Sequence, residues 1–328
     1  MASPDIKLEG VFCDYTILRP DGTVREKLQG YNNMILDQGL EALLAVNSGS
    51  TWSAISTCEL GTGTQEPQEL DVALTSPVGS ASNNRLQFSA TWSQPQPGIY
   101  MLRRSWRFDF DTAGSRGIAG VQLSEIGTRV GTTLISKSLI KDAQGNPTTI
   151  QLLPEEILQV NYALHIYFDA REPRTGTFTL DKGPEGSDTY NYSWNFMALT
   201  EGTNINYGWP HGILLANTTH ARESTSLIAP ESSWQGTASG GSPVTRHPYV
   251  PGSFKRTYSM NYSVTQFNLT GGIGGLRLYT GSTSRDSSLF QITFENPITE
   301  AGIPKTSDYR LDFNEFFHIT LGRYTPEE

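Results

Sequence analysis

In the stretch "ILQVNYALHIYF" (residues 157–168) every second residue from Leu158 to Phe168 is large and apolar, with Asn161, Ala163 and His165 between them. A period of two turns one side of the chain to a core and the other to water, the mark of a half-buried antiparallel strand. Residues 309–321 do the same through Tyr309, Leu311, Phe313, Phe317, Ile319 and Leu321, with one interruption at Glu315. Tyr258, Met260, Tyr262 and Val264 form another such face, and so do Phe290, Ile292 and Phe294. A slip of one residue would turn any of these faces to solvent, so the register is strongly specified. Helical spacing is scarce. In "DQGLEALLAVN", Leu40, Leu43 and Leu44 fall on one helix face, Asp37 is positioned to cap the first turn, and Asn47 and Gly49 to end the helix. The pattern predicts a mainly β chain with one short helix.

The strand patterns come in two ordered sets. "RRSWRFDF" (103–110) matches "KRTYSMNY" (255–262), and "IAGVQL" (118–123) matches "IGGLRL" (273–278). "GNP" ending at Pro147 matches "GIP" ending at Pro304, and "ILQVNYALHIYF" matches "RLDFNEFFHITL" (310–321). Fainter echoes lie upstream: "NNMILDQG" (32–39) with "NFMALTEG" (195–202), and "LTSP" (74–77) with "LIAP" (227–230). The order is kept at an offset of about 150–165 residues, as tandem duplication of one domain requires. Two antiparallel β-sandwich-like domains are expected, residues 1–172 and 173–328. The helix belongs to the first, because the second reads "TEGTNINYGW" at that place. Gly117, Gly120, Gly272 and Gly275 flank a strand start in each half and read as turn or bulge glycines. Residues 78–98, 170–188 and 230–253 read as loops, the second of them joining the halves.

Composition narrows the function. Of 328 residues only 17% are charged and 10% are aromatic, which gives a polar, weakly charged surface over real cores. A net charge of −9 repels a phosphate backbone, so no nucleic-acid partner is expected. Cys13 and Cys58 stand in no CxxC pattern; two free thiols are expected rather than a bridge or a zinc site. "MASPDIKLEG" lacks a signal-peptide pattern, and no stretch approaches the ~18 apolar residues of a membrane span.

Motifs that carry chemistry are few. "GIGG" and "GTGT" lack the lysine and helix of a phosphate loop. Asp109 and Asp111 share a strand face, but Asn261 and Ser263 replace them in the second half, so they read as a solvated face. His165 and His318 repeat, yet no nucleophile or orienting carboxylate recurs beside both, and they read as surface or interface packing. No catalytic, cofactor or metal residue is expected. The aromatics Trp209, Trp234, Tyr207 and Tyr249 lie in loop-like surroundings and are the candidate partner contacts, with Trp234 the anchor of the 230–253 loop.

Four segments of the first half carry a resemblance: "NMILDQGL" from Asn33, "GTGTQEPQELDVAL" from Gly61, Glu125-Ile126-Gly127, and "SKSLIKDAQGNP" before the strand at 157–168. Their order resembles a class of structural proteins of tailed bacteriophages. In the second half "YTG" stands for "EIG", and "GTGTQEP" has no clear counterpart. The resemblance implies a non-enzymatic virion component of the collar, baseplate or fibre-attachment region, assembled in the host cytoplasm. Its expected partners are other virion proteins and copies of itself, as a homo-oligomer in a symmetric ring. A carbohydrate- or host-receptor-binding module and a capsid decoration protein are the alternatives. A glycan depolymerase would need a carboxylate pair in a groove.

Overall fold

The computed structural model describes residues 5–45, 55–83, 89–112, 117–171, 174–196, 216–222, 235–237, 244–266, 268, 272–280, 288–308 and 310–325. These are mainly β. The first half contains β1 (Asp5–Leu18), β2 (Val24–Gln29), β3 (Asn32–Ile35), the helix α1 (Asp37–Ala45), β4 (Thr57–Gly61), β5 (Pro77–Ser82) and β6 (Ser89–Gln96). It continues with β7 (Ile99–Asp111), β8 (Gln122–Leu123), β9 (Glu125–Val130), β10 (Thr133–Leu139), β11 (Ile150–Gln151) and β12 (Ile157–Asp169). The second half contains β13 (Arg174–Asp181), β14 (Ser187–Phe196), β15 (Ala216–Arg222), β16 (Gln235–Thr237) and β17 (Val244–Arg246). β18 (Lys255–Tyr262), β19 (Gly275–Thr280), β20 (Ser288–Glu295) and β21 (Leu311–Arg323) follow.

The two-residue alternation is obeyed. Leu158, Val160, Tyr162, Leu164, Ile166 and Phe168 are all buried, and so are Leu311, Phe313, Phe317, Ile319 and Leu321. The interruption at Glu315 is a bulge: its φ is 48°, and the β18–β21 register shifts between Tyr258 and Met260. One expected face is shorter than its pattern. Val264 is 43% exposed, because β18 ends at Tyr262 and the chain turns through a Gln266–Ser263 backbone hydrogen bond.

Three segments read as loops contain strands: β5 and β6 within 78–98, β13 within 170–188, and β16 and β17 within 230–253. In β13, Phe178 and Leu180 pack on the core while Thr175, Thr177 and Thr179 are exposed. Threonine on the wet face and glycine at position 176 lower the apolar contrast that marks a strand. Gly117, Gly120 and Gly272 have φ between 77° and 105° and are turn glycines as expected, whereas Gly275 is not in that region. Helix α1 buries Gly39, Leu40, Leu43 and Leu44. Asp37 is its first residue, and its carboxylate receives Arg323 from β21.

In the first half β7, β12, β1, β3, β10, β9, β4 and β5 follow one another by hydrogen-bonded pairing. Opposite parts of the sheet face each other, since Tyr15 of β1 lies near Cys58 of β4 and the Tyr162 hydroxyl of β12 lies beside Ser136 and Thr128. They belong to a single curled sheet rather than two separate ones. Register shifts at Phe12/Asp14, Leu134/Ser136 and Leu60/Gly61 bend its strands, and Asn83 beyond β5 bridges Phe108 of β7 to bring the curl back on itself.

The second half runs β13-β14-β20-β19-β15-β16, all antiparallel, as β1-β3-β10-β9-β4-β5 does in the first. β18 pairs with β21 as β7 pairs with β12. Phe313 lies opposite Met260 where Val160 lies opposite Phe108, and Leu311 opposite Tyr262 where Leu158 lies opposite Phe110.

Among the described residues the last strands of the two halves pair differently. β12 lies antiparallel along β1 from Phe168 to Ile157. β21 does not pair with β13; its end, residues 320–323, pairs in parallel with residues 5–8 of β1, so one sheet runs across position 172. Arg323 locks this junction by donating to the Ile35 carbonyl, Asp37 and Glu69, and the buried Arg256 donates to the Leu44 carbonyl at the end of α1.

Candidate functional site

The most concentrated polar construction lies where β9 meets the loop after β4. Glu125 is the first residue of β9, and its carboxylate is fully buried. It accepts backbone N–H groups from Gly63 at 3.0 Å, Thr75 at 3.0 Å and Ser76 at 2.7 Å. Lys137 of β10, itself buried, reaches Asp71 at 3.0 Å, the Thr75 hydroxyl at 3.2 Å and Glu125 at 3.7 Å. A buried carboxylate is tolerated when hydrogen bonds and a cation replace its water, and here they do. A Cβ at Gly61 or Gly63 would lie 2.5–2.6 Å from the Glu125 carboxylate, so these glycines provide the space it occupies. Beside it Leu36, Leu74 and Leu134 form a small apolar cluster with Met34, and Gly39 lets α1 approach the backbone of Ile135. A carboxylate with this burial and these partners clamps a loop.

The following turn is built the same way. Asp142 accepts the backbone N–H groups of Gln144 and Asn146, which hold its carboxyl below the usual range. The Tyr31 hydroxyl donates to the Asp142 carbonyl.

A second polar row crosses the outer face of β3, β1 and β12. Asn32 donates to Glu9 at 2.7 Å, the His165 ring meets Glu9 at 2.9 Å, and the Tyr167 hydroxyl donates to Glu9 at 2.8 Å. The bond to His165 holds the Glu9 carboxyl below its ordinary value against the opposing effect of burial. Tyr324, past β21, stacks on Tyr167 with ring centroids 3.7 Å apart. His165 therefore has an orienting carboxylate that the sequence pattern did not reveal. His318 is half-buried on β21, where burial lowers its pKa.

In the second half a cleft of about 500 Å³ separates the end of β13 from the start of β21. Leu180, Tyr190, Ile303 and Leu311 are its apolar lining, and Lys305 and Asp312 are among its charged lining residues. Behind it Phe178, Phe294 and Phe313 pack with ring centroids 5.6–5.9 Å apart. Lys305 is buried, which lowers its pKa, and it donates to Asn268 and the Thr306 carbonyl.

Of the candidate partner contacts, Trp209, Trp234 and Tyr207 lie outside the described residues. Tyr249 is half-buried, with its hydroxyl 3.5 Å from Glu41 of α1, and Gly252 N–H donates to the same carboxylate. The described end of the 230–253 loop thus rests on the helix of the first half. Asp109 pairs with Arg107 at 3.1 Å on a part-exposed face. Cys13 and Cys58 are free thiols, and Arg103 donates to Cys13 at 3.2 Å. Among the described residues no three His, Cys, Asp or Glu side chains form a metal-sized group, and no helix is long and apolar enough to cross a membrane.

Against known protein families, curated proteins and solved structures, the chain matches none. Glu125 and Lys137 stand in the segments Glu125-Ile126-Gly127 and "SKSLIKDAQGNP", whose pattern gives no sign that the two charges are buried together.

Proposed function

We propose that the chain is a structural subunit of a tailed-bacteriophage virion, in the collar, baseplate or fibre-attachment region, and that it acts by assembly rather than chemistry. One observation carries the reading. The four segments that resemble that class lie far apart in sequence and meet in one construction: Gly61 and Gly63, Asp71 and Leu74, Glu125, Lys137, and Leu36 with Gly39. A motif set held together by mutual packing supports a shared scaffold more than a shared reaction.

We infer as well that residues 1–172 and 173–328 are two sandwich-like domains descended from one by duplication. The common strand order and the Val160/Phe108 and Phe313/Met260 registers support this. On this reading the subunit is made in the host cytoplasm, joins copies of itself and other virion proteins in a symmetric ring, and leaves within the particle.

The test is to locate the chain on purified particles by mass spectrometry and image reconstruction. A fixed copy number in the tail region is expected. Absence from the particle, or turnover of host polysaccharide by the isolated chain, would overturn the proposal. A position on the head would make it a decoration protein instead.

A further inference from the structure

The loop after β4, residues 62–76, is held at many points and still presents apolar side chains to water. Glu125 accepts the N–H groups of Gly63, Thr75 and Ser76, and Lys137 donates to the carboxylate of Asp71. Glu69 pairs with Arg323 at 3.2 Å through its carboxylate and accepts the Asp37 N–H at 2.9 Å through its carbonyl. Between these anchors the Asp71 N–H closes a turn on the Gln68 carbonyl at 3.0 Å. Yet Leu70 and Val72, on either side of Asp71, are 78% and 69% exposed. A single exposed leucine is ordinary on a protein surface. Two branched side chains on a clamped loop differ, because the loop has already given up the freedom that binding would otherwise cost.

A surface suited to receive them lies in the second half. The cleft between the end of β13 and the start of β21 has a volume of about 500 Å³ and an apolar lining of Leu180, Tyr190, Ile303 and Leu311. Its charged lining is three cations, Lys182, Lys305 and Arg310, and three carboxylates, Asp181, Glu185 and Asp312. The charges balance, so an apolar pair can enter without a net charge being buried. The Arg310 side chain is 66% exposed and stands ready for a carboxylate such as Glu66, exposed four residues before Leu70. The two halves do not share these features. In the first half β12 lies on β1 at the corresponding place, with Ile17 opposite Leu158 and Leu18 opposite Ile157. In the second half the "GTGTQEP" that begins the loop has no clear counterpart.

We propose that residues 66–72 of one copy enter the β13/β21 cleft of the next, with Leu70 and Val72 set against Leu180, Ile303 and Leu311. This rests on the reading of the chain as an assembling subunit and names the two surfaces involved. A contact between unlike surfaces is heterologous: repeated from copy to copy, it closes a ring or runs on as a filament instead of stopping at two.

Sedimentation of the full chain tests it. The unaltered protein is expected to form species larger than a dimer as its concentration rises. L70S/V72S removes the apolar pair at exposed positions and should weaken assembly at least tenfold, while circular dichroism and melting temperature stay unchanged. T179R/N314R crowds the cleft from two exposed lining positions and should weaken assembly as much. Mixed in equal amounts, the two variants have one intact loop and one intact cleft between them and should form a one-to-one dimer that grows no further. A monomer at every concentration, assembly indifferent to either variant, or variants that do not pair when mixed overturns the proposal. Indifferent assembly would leave the assembling-subunit reading standing, whereas absence of the chain from particles would remove that reading without touching the contact.

Discussion

β1 and β13 hold the same place in two strand orders, and they differ in what lies along one edge. β12 runs the length of β1; β21, the counterpart of β12, leaves β13 and takes the first residues of β1 instead. The first half therefore returns to itself, while the second keeps a cleft with aromatic packing behind it. Strands with near-identical local patterns thus reach different ends because edges compete. β21 joins β1 in a short parallel pairing reinforced by Arg323 on Ile35, Asp37 and Glu69. A pairing made of few backbone bonds and one well-placed cation sets where the last strand lies.

Experiments can break that contrast at several points. Glu125→Ala should have the largest effect, since it leaves three backbone N–H groups buried without their acceptor and takes from the buried Lys137 one of its two carboxylates; the expected loss is about 3–5 kcal/mol, read from the urea midpoint. Phe313→Ala removes the ring that packs against Phe178, Tyr262 and Phe294, with an expected loss of about 3–5 kcal/mol. The adjoining cleft lets neighbours relax and places it at the lower end of that range. Gly63→Ala drives a methyl against the Glu125 carboxylate and should lose about 1–3 kcal/mol, with faster proteolysis of the loop after β4.

Arg323→Ala should lose only about 1 kcal/mol, because its ion pairs are partly exposed, yet hydrogen exchange at residues 5–8 should quicken. Smallest is the pH effect of Glu9. Its folded pKa lies below its unfolded value of about 4.5, so its contribution is complete above that value and fades as pH falls through the lower folded one. Glu9→Gln should therefore flatten stability against pH below about 4.5.

Much of the fold could be read from the chain because a period of two is a sharp signal. The faces at Leu158–Phe168 and Leu311–Leu321 were legible, and so was the break at Glu315, where a bulge keeps the apolar side inward. The helix through Leu40, Leu43 and Leu44 was equally plain. β13 was not, because threonine and glycine give little contrast between its faces. Neither was the choice of β1 by β21, since pairing partners are set by edges far apart in sequence, and local pattern carries no trace of them. The pairing of Glu125 with Lys137 was not legible for another reason: a charge in a strand reads as solvent-facing until its counterion and donors are seen around it. Tyr249, a candidate partner contact, is half-buried with its hydroxyl 3.5 Å from Glu41 of α1.

The parallel clasp between residues 5–8 and 320–323 also sets an order in time. β1 must wait for β21 to be made before its margin at residues 5–8 is covered, and closing so long a loop is slow. Chains that stop early keep that margin bare and sticky, so chaperones and proteases can tell them from finished ones.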